Sequence, residues 1–408
     1  MTPEVKQRIE QVQQGDIPEG YKKTSSGIAP SEWTDTYLGQ IYTERKEPGN
    51  ESLPLLMVSI HSGVSDGEVD EDDLPKKVKR TEDKSQYKRA ATGDLVFNMM
   101  RAWQGAIGTV RTEGMVSPAY IVAEPNGMVD PLFMDYYMKT DRMVHTIHRQ
   151  SYGVTDFRLR LYWDSFAPIK CVLPSVAEQQ KIAAILTTQD KVIELKEKRL
   201  AEKQRQKKYL MQQLLTGKKR LPGFEGDWSA VTLKALCQYV TCHDVGQMHE
   251  YVSTENMLSN YRGVTFMDKE YGEVSGIAFA KDDILMANIR PYLKKVWLAT
   301  QRGLCSTDVL VFRSSIAVLP TFLFHLLSNE SFLNYVMLGA KGSKMPRGDK
   351  SHIMNYPCSL PNRAEQEVIA QVLSAADKEI DLLQQDIDAE KQKKKALMQL
   401  LLTGIVRV

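Results

Sequence analysis

Basic, amide and aromatic side chains occur close together at several places in this 408-residue chain. Lysine and arginine neutralise phosphates, and arginine and glutamine also donate hydrogen bonds to base edges. Such groups indicate contact with DNA, with ordinary solvated surface charge as the alternative. The candidates in the first half are Arg101, Trp103, Gln104, Arg149, Tyr152, Arg158 and Arg160. Those in the second half are Arg290, Tyr292, Lys294, Lys295, Lys341, Ser343, Lys344, Arg347 and Lys350.

Catalytic motifs are missing from the sequence. It contains no Walker loop, GxSxG elbow or HExxH pair. Cys237, Cys242 and His243 lack the second ligand pair that a structural zinc site needs. Glu44 and Lys46, after Asp35, match the acidic triad of metal-dependent nucleases only at the level of chance. We therefore predict no active site, no metal and no cofactor bound by this chain, with a free-standing nuclease or methyltransferase as the catalytic alternative.

The charge is abundant but balanced, with 53 Lys and Arg against 51 Asp and Glu. A net charge of +2 gives no overall basic field, so any basic surface must be local. The acidic run Asp66–Asp73 is expected to point away from DNA or to form a flexible loop. Five cysteines without a CxxC pair, no signal peptide and no long apolar run lead us to expect a cytoplasmic protein that does not contact a membrane.

The elements that must position these residues come in two copies. Residues 173–221 and 360–408 align without a gap at a constant register of 187, with 22 of 49 positions identical. We predict an N-terminal segment (1–30), a first globular domain (31–174), a helical spacer (175–220), a second globular domain (221–361) and a second spacer (362–408). The fold class is α+β: two similar mixed α/β domains separated by two long helices, which form an antiparallel intramolecular coiled coil with pseudo-twofold symmetry.

Capping patterns set the expected helix boundaries. Ser175-x-x-Glu178 and Asn362-x-x-Glu365 each follow a proline and predict a helix start. Thr187-x-x-Asp190 and its equivalent, Ser374-x-x-Asp377, predict a break followed by a second, longer helix. Gly217 and Gly404 suit the left-handed position that follows a helix.

A seven-residue seam in each spacer predicts that the two helices pair. Residues 175–220 hold 12 basic and 5 acidic side chains, a net of +7, whereas residues 362–408 hold 7 and 8, a net of −1. Pairing the first helix with the second avoids like-charge repulsion, so we predict an intramolecular antiparallel pair. Lys207 and Lys394 interrupt the seam. Its apolar members are Leu186, Ile193, Leu200, Leu214, Leu373, Ile380, Ile387 and Leu401.

The two globular domains read as short strands, turns and helices. Strand-like runs are LPLLMVSI, GDLVFNMM and IGTV in the first, and VTFM, DDILMANI and LVF in the second. Helical patterns cover 131–148 and 320–338. Asp94 and Arg101 have the same seven-residue spacing as Asp283 and Arg290, so the domains are expected to share a fold.

The double signature LPxxAEQ…IAxxL…D…KKxLMQxLLTG, each copy after a variable α/β block, resembles the DNA specificity subunits of Type I restriction-modification systems. RLPGFEGDW at 220–228 is similar to that family's entry to the second domain, and RLRLYWDSFAPIKCVLP at 158–174 to its exit from the first. The resemblance covers essentially the whole chain.

The resemblance implies that each globular domain reads one half of a bipartite, asymmetric site in double-stranded DNA, while the helices fix the spacer. It also implies two modification subunits, with S-adenosylmethionine and an adenine-N6 methyltransferase centre, and restriction subunits that use ATP and magnesium. Partner contacts would fall on Ala177, Glu178, Gln179, Ala364, Glu365 and Gln366. A structural adaptor that joins proteins without DNA is the alternative from another class.

Overall fold

The computed structural model describes residues 2–25, 27–50, 52–60, 63–66, 86–153, 158–247, 250–266 and 272–408. These residues form two compact units. Unit 1 comprises Met1–Leu195 and Ile387–Val408, and unit 2 comprises Lys196–Asp386. Of the acidic run 66–73, only Asp66 lies within the described residues. In the described parts of the chain, no helix is long and apolar enough to cross a membrane.

Among the described residues, the globular part of unit 1 contains twelve strands and five α-helices. The strands are β1 Tyr21–Thr24, β2 Gly27–Pro30, β3 Thr34–Tyr37, β4 Tyr42–Glu44, β5 Leu56–Ser59, β6 Gly63–Asp66, β7 Lys88–Ala90, β8 Leu95–Asn98, β9 Ile107–Thr109, β10 Gly114–Val116, β11 Tyr120–Pro125 and β12 Lys170–Leu173. The helices are α1 Pro3–Gln14, α2 Leu38–Ile41, α3 Pro131–Tyr137, α4 Asp141–Gln150 and α5 Trp163–Phe166. The first long helix, α6, follows at Val176–Leu214.

Unit 2 repeats this order with fewer strands. They are β13 Ser229–Thr232, β14 Cys237–Tyr239, β15 His243–Gln247, β16 Tyr251–Val252, β17 Glu273–Phe279, β18 Ile284–Ala287, β19 Val296–Leu298, β20 Gly303–Cys305, β21 Val309–Ser314 and β22 Pro357–Leu360. The helices are α7 Leu233–Leu236, α8 Pro320–Leu327, α9 Glu330–Leu338 and α10 Lys350–Met354. The second long helix is α11 Arg363–Leu401.

The same antiparallel four-stranded sheet lies at the centre of both units. Its strand order is β4-β11-β8-β9 in unit 1 and β14-β21-β18-β19 in unit 2. The inner strands β8 and β18 read as continuous apolar runs because they are covered on both faces. The shared strand order confirms that the two globular domains have one mixed α/β fold.

A buried aspartate at equivalent places begins each inner strand. Asp94 accepts a hydrogen bond from the Ala91 amide at 2.8 Å, and its side chain pairs with Arg45 at 2.8 Å. Asp283 accepts one from the Ala280 amide at 2.8 Å and pairs with Arg313 at 2.6 Å. The sequence match between the two aspartates therefore marks a shared structural turn.

Some sequence-based elements differ from the structure. Each helical pattern, 131–148 and 320–338, is two helices, because Thr140 and Asn329 cap a new helix with their side chains. The prediction of a strand at VTFM was wrong in the described part of that segment, where Val264 forms only an isolated bridge with Met257. Residue 267 of that segment lies outside the described residues.

The predicted break in each spacer was also wrong. The helices α6 and α11 are each continuous over 39 residues. The side chains that suggested a second cap have long-range partners instead, so the backbone has no reason to leave the helix. Gly217 and Gly404, just beyond the two helices, adopt left-handed conformations with φ of +68° and +73°.

Within each unit the two long helices run antiparallel, as predicted from their unequal charge. In unit 1, Asp190 pairs with Lys394, and Gln189 donates to Glu390 at 2.7 Å. In unit 2, Lys196 pairs with Asp386 at 2.8 Å and Lys203 with Glu379 at 2.9 Å. All eight apolar seam residues are buried or half-buried.

Both lysines that interrupt the seam have carboxylate partners. In unit 1, Lys394 pairs with Asp190, whose other oxygen accepts a hydrogen bond from the Tyr136 hydroxyl at 2.7 Å. In unit 2, Lys207 pairs with Asp377, and the His325 ring lies 3.1 Å from Ser374 and 3.8 Å from Asp377. One network thus joins a globular domain to both helices in each unit, with histidine in place of tyrosine in unit 2.

We expect this histidine to make unit 2 sensitive to acid. Burial, with Lys207 adding repulsion, lowers the pKa of His325 from 6.5 to about 3, so the folded protein holds the ring neutral. As pH falls below about 6.5 the unfolded chain takes up a proton that the folded chain refuses. At pH 5 this costs roughly 2 kcal/mol of unfolding free energy relative to pH 7.5.

Hydrogen exchange of unit 2 peptides at the two pH values measures this loss. Burial raises the pKa of Asp377, so that group acts in the opposite direction, toward greater stability in acid. His325→Gln removes only the histidine titration and isolates its share. If the wild type and this variant lose equal stability between pH 7.5 and 5, the histidine is not the acid-sensitive group.

Candidate nucleic-acid interface

Each unit carries two loops beside its central sheet. The first is a short 3-10 helix after the inner strand, Ala102–Gln104 in unit 1 and Pro291–Leu293 in unit 2. The second is closed by a bridge between Tyr152 and Arg160 in unit 1, and in unit 2 it is a narrow hairpin closed by a bridge between Lys341 and Arg347. The predicted DNA-contacting residues lie on or next to these loops.

Backbone and ring contacts bring the two loops of unit 1 together. The Leu161 amide donates to the Met99 carbonyl at 2.9 Å, which places Arg160 and its bridge partner Tyr152 beside the end of β8. The Trp103 ring lies 5.4 Å from the His148 ring, next to Arg149 at the end of α4. The seven candidates of the first half thus lie on adjacent segments.

The loops of unit 2 are joined in the same way. The Arg290 amide donates to the Pro346 carbonyl at 2.8 Å, and Ile289 forms a bridge with Arg347. Lys350 begins α10 just beyond the hairpin. The candidates of the second half are therefore also adjacent, although up to 60 residues separate them in the sequence.

The first loop of unit 2 has an unusual backbone. Arg290 and Lys294, which flank the 3-10 helix, have φ of +52° and +56°. A neighbouring segment holds them, since the Asn260 amide donates to the Leu293 carbonyl at 3.1 Å and the Tyr261 amide to the Lys294 carbonyl at 2.8 Å. Left-handed non-glycine residues persist where surrounding contacts over-determine them, often at binding sites.

This neighbouring segment was missed in the sequence. Asn260 and Tyr261 are left-handed themselves, with φ of +59° and +61°, and Arg262 next to them is exposed. The polar run SNYRG at 259–263 was the available signal, because asparagine and glycine tolerate left-handed backbone. Arg262 joins the candidates of unit 2.

The candidate side chains differ in whether they have partners. In unit 1, the Tyr152 ring packs at a tilt against the Tyr162 ring with centres 5.3 Å apart, and Arg160 donates to the Tyr162 hydroxyl at 3.5 Å. The other polar candidates of both units are exposed and have no side-chain hydrogen bond or ion pair to any described residue. They are Arg101, Gln104, Arg149, Arg158, Arg290, Tyr292, Ser343, Lys344 and Lys350.

Four basic candidates of unit 2 are held by internal acceptors. Lys295 donates to the Thr254 carbonyl at 2.6 Å. Lys294, Lys341 and Arg347 form ion pairs with carboxylates of unit 2. The hydrogen bond from Lys341, with one from the His352 amide, lowers the pKa of Asp349 to about 2, while that carboxylate raises the pKa of Lys341.

The glutamines of the predicted partner-contacting motifs point inward. Gln179 and Gln366 are 0% and 1% exposed. The Gln179 amide accepts from the Asp130 amide at 2.8 Å and donates to the Met128 and Pro174 carbonyls at 3.2 and 2.9 Å. Each glutamine fastens a loop of its globular domain to the start of a long helix, so neither presents a polar atom to a partner.

The glutamates of the same motifs are also committed internally. Glu178 forms two hydrogen bonds with Arg407, and Glu365 forms two with Arg220 and one with Trp228 at 3.1 Å. Arg220 and Arg407 occupy equivalent positions of the repeat. These four polar side chains are thus buried and bonded within the chain, whereas their contact with a partner stays a prediction. Only Ala177 and Ala364 are exposed.

Residues that suggested other chemistry are not arranged as a site. Glu44 pairs with Lys46 at 3.1 Å, while Asp35 lies on β3, which pairs with β12 rather than with β4. Burial raises the pKa of Cys237 to about 12, whereas Cys242 is exposed. Over the described ranges, no three His, Cys, Asp or Glu residues are grouped to hold a metal ion.

Known proteins share both the sequence pattern and the fold. Residues 227–391 match the family model of the Type I restriction modification DNA specificity domain. The Type I restriction enzyme MjaVIII specificity subunit of Methanocaldococcus jannaschii is 23% identical over 365 residues, which cover 79% of this chain and 83% of that protein.

Two solved structures support the fold. One is a chain from a study of complex assembly and conformational transition of the type I R-M system; it has a TM-score of 0.55 at 15% identity and covers 93% of this chain and 99% of its own. The other is the Type I restriction-modification system S subunit from M. genitalium, with a TM-score of 0.54 at 11% identity, covering 90% and 96%. Together with the repeated helical signature and the two equivalent globular domains, these matches support the similarity of this chain to the DNA specificity subunits of Type I restriction-modification systems.

Proposed function

We propose that the chain is the non-catalytic DNA-reading subunit of a Type I complex, and that each unit reads one half of a bipartite, asymmetric site. The observation that carries this proposal is the pair of exposed loops built on the same sheet in both units. Arg101 and Arg290 are equivalent, whereas Trp103 corresponds to Tyr292, and the loops 152–160 and 341–347 differ in length and in most of their residues. Shared position with different side chains suits two readers of different base sequences.

The paired long helices have a separate role in this proposal. They set the unread spacer between the half-sites and dock two adenine-N6 methyltransferase subunits, through which restriction subunits join. S-adenosylmethionine, ATP and magnesium belong to those partners. The antiparallel ion pairs support a stiff spacer, and the exposed Ala177 and Ala364 offer equivalent points for docking.

Methylome sequencing of a strain with and without this chain tests the proposal. We expect a methylated adenine in a bipartite motif only when the chain and its modification subunit are both present. In binding assays, the full chain with that subunit should prefer this motif and lose affinity steeply as salt rises. Assembly without DNA preference would favour the adaptor, and methylation or cleavage by the isolated chain would point to an enzyme.

Removal of Arg290 is expected to weaken reading of one half-site only. The side chain is exposed on a rigid loop, so Arg290→Ala should cost about 1–3 kcal/mol if it contacts a base. Lys344→Ala should instead weaken binding to all sequences and reduce the salt slope by about 0.9, as loss of one phosphate contact does.

Lys281→Ala is the matched control, since this exposed lysine lies at the opposite end of β18 from Arg290. Competition assays with duplexes altered in either half-site separate the two effects. Unchanged affinity and specificity in Arg290→Ala would remove this loop from the interface, provided that the variant still assembles with the modification subunit.

A further inference from the structure

Three carboxylates of unit 2 form ion pairs with basic side chains of its candidate interface. We propose that Asp308, Glu330 and Asp349 are specificity-determining residues that lower the affinity of unit 2 for DNA lacking the target half-site. The inference rests on the proposed function, because it assigns a role within that DNA-reading surface.

The ion pairs come from three different elements. The Lys341 ammonium lies 2.7 Å from Asp349, and the Arg347 guanidinium lies 3.1 Å from Asp308. The Lys294 ammonium lies 3.6 Å from Glu330, the first residue of α9. All three basic side chains belong to the two loops that the Arg290 amide joins.

The surrounding structure holds the carboxylates in place. Asp349 caps α10 by accepting a hydrogen bond from the His352 amide at 3.0 Å. Glu330 pairs with Lys208 of α6 at 2.8 Å, and this bond, the largest influence, lowers the pKa of Glu330. Fixed carboxylates therefore face lysine and arginine side chains on the exposed loops, at the place where a DNA phosphate would pair with them.

Binding to non-target DNA depends almost wholly on phosphate neutralisation. A cation already paired with a carboxylate adds little to that attraction, so each pair suppresses non-specific binding. On a matching half-site, the loops also form hydrogen bonds to bases. The free energy of these base contacts offsets the cost of breaking the ion pairs when phosphates replace the carboxylates. The carboxylates thus penalise the wrong sequence more than the right one.

Unit 1 lacks this arrangement among the residues that the structure describes. Arg101, Arg149 and Arg158 have no carboxylate partner there, and Arg160 reaches only a tyrosine hydroxyl. Both units therefore keep unpaired cations that attract DNA of any sequence, but among the described residues only unit 2 adds carboxylates that oppose this attraction.

The test replaces all three carboxylates by amides in the full chain: Asp308→Asn, Glu330→Gln and Asp349→Asn. Asparagine retains the cap on α10, since it accepts the same backbone hydrogen bond. The control, Glu225→Gln, Asp282→Asn and Glu367→Gln, makes the same change in net charge at exposed sites of unit 2 away from the two loops.

Affinity is measured for duplexes with and without the methylated motif, over a series of salt concentrations. An exposed ion pair is worth about 1.4- to 5-fold, so we expect roughly tenfold tighter binding to the non-target duplex and a salt slope steeper by about 2. Binding to the target duplex should tighten by less than about threefold, and the control variant should change both duplexes equally and slightly.

Failure of the proposed function and failure of the role of the carboxylates give different results. If the wild-type chain does not distinguish the duplexes, the proposed function fails. If it distinguishes them but the triple variant behaves like the control, the carboxylates do not determine specificity and the further inference is overturned.

Discussion

Gln366→Met is expected to lower the unfolding free energy of unit 2 by about 3–5 kcal/mol. The wild-type amide accepts from the Leu319 amide at 2.9 Å and donates to the Ala317 and Pro361 carbonyls at 3.1 and 3.0 Å. Methionine has a similar volume, so no cavity opens, but the buried Pro361 carbonyl and the part-buried Leu319 amide and Ala317 carbonyl lose their partner. Each unsatisfied group costs about 1–3 kcal/mol, and partial relaxation keeps the total below the sum.

Hydrogen exchange near residues 317–319 measures this loss locally, which matters because a chain of two units need not unfold in one step. Gln371→Met is the control, because it is the same substitution at an exposed position of α11. Gln179→Met should produce the equivalent loss in unit 1. Equal protection in Gln366→Met and the control would show that the hydrogen bonds do not fasten the globular domain to the helix.

These glutamines illustrate how far a local motif can be interpreted. The AEQ motif occurs once at the start of each long helix. Its recurrence alone does not distinguish a contact within the protein from a surface that binds a partner. The difference lies in partners distant in the sequence, such as Arg407 for Glu178 and the carbonyl of Met128 for Gln179. No spacing rule announces those contacts.

The pairing of the long helices was predictable because it depends on a periodic apolar pattern and on the summed charge of each helix. The seam predicted their pairing, and the unequal charge predicted that they pair with each other, as the bonds of Lys196 and Lys203 to α11 confirm. The predicted break failed because Asp190 and Asp377 serve Lys394 and Lys207 across the helix pair. A capping pattern is ambiguous when its side chains have such distant partners.

For the candidate interface as well, local patterns were readable from the sequence, whereas contacts between distant residues were not. Local composition identified the two loops in each unit, and the structure brings them together through bonds such as that from the Arg290 amide to the Pro346 carbonyl. The Asn260–Arg262 segment was not predicted, because its position depends on left-handed backbone and on hydrogen bonds to carbonyls over 30 residues away. The carboxylates that hold Lys294, Lys341 and Arg347 come from turns and helix starts without a shared motif.

Lengthening both long helices by seven residues is expected to change the gap in the recognised site and leave its half-sites unaltered. The insertions go after Leu200 in α6 and after Asp381 in α11, so that they face each other between the pairs Lys196–Asp386 and Lys203–Glu379. Seven residues add about 10.5 Å of helix and rotate the following face by only about 20°. If the helices set the spacer, the methylated motif should gain up to about three base pairs, at ~3.4 Å each.

Methylome sequencing reads the gap and the half-sites in one experiment. The control inserts seven residues into α6 alone, which shifts one helix against the other and separates the pairs that flank the insertion. That variant should lose methylation of every bipartite motif, whereas the double insertion should abolish the parental motif and create the longer one. A changed half-site sequence, or an unchanged gap in the double insertion, would show that the helices do not set the spacing, because lengthening them leaves both pairs of reading loops chemically untouched.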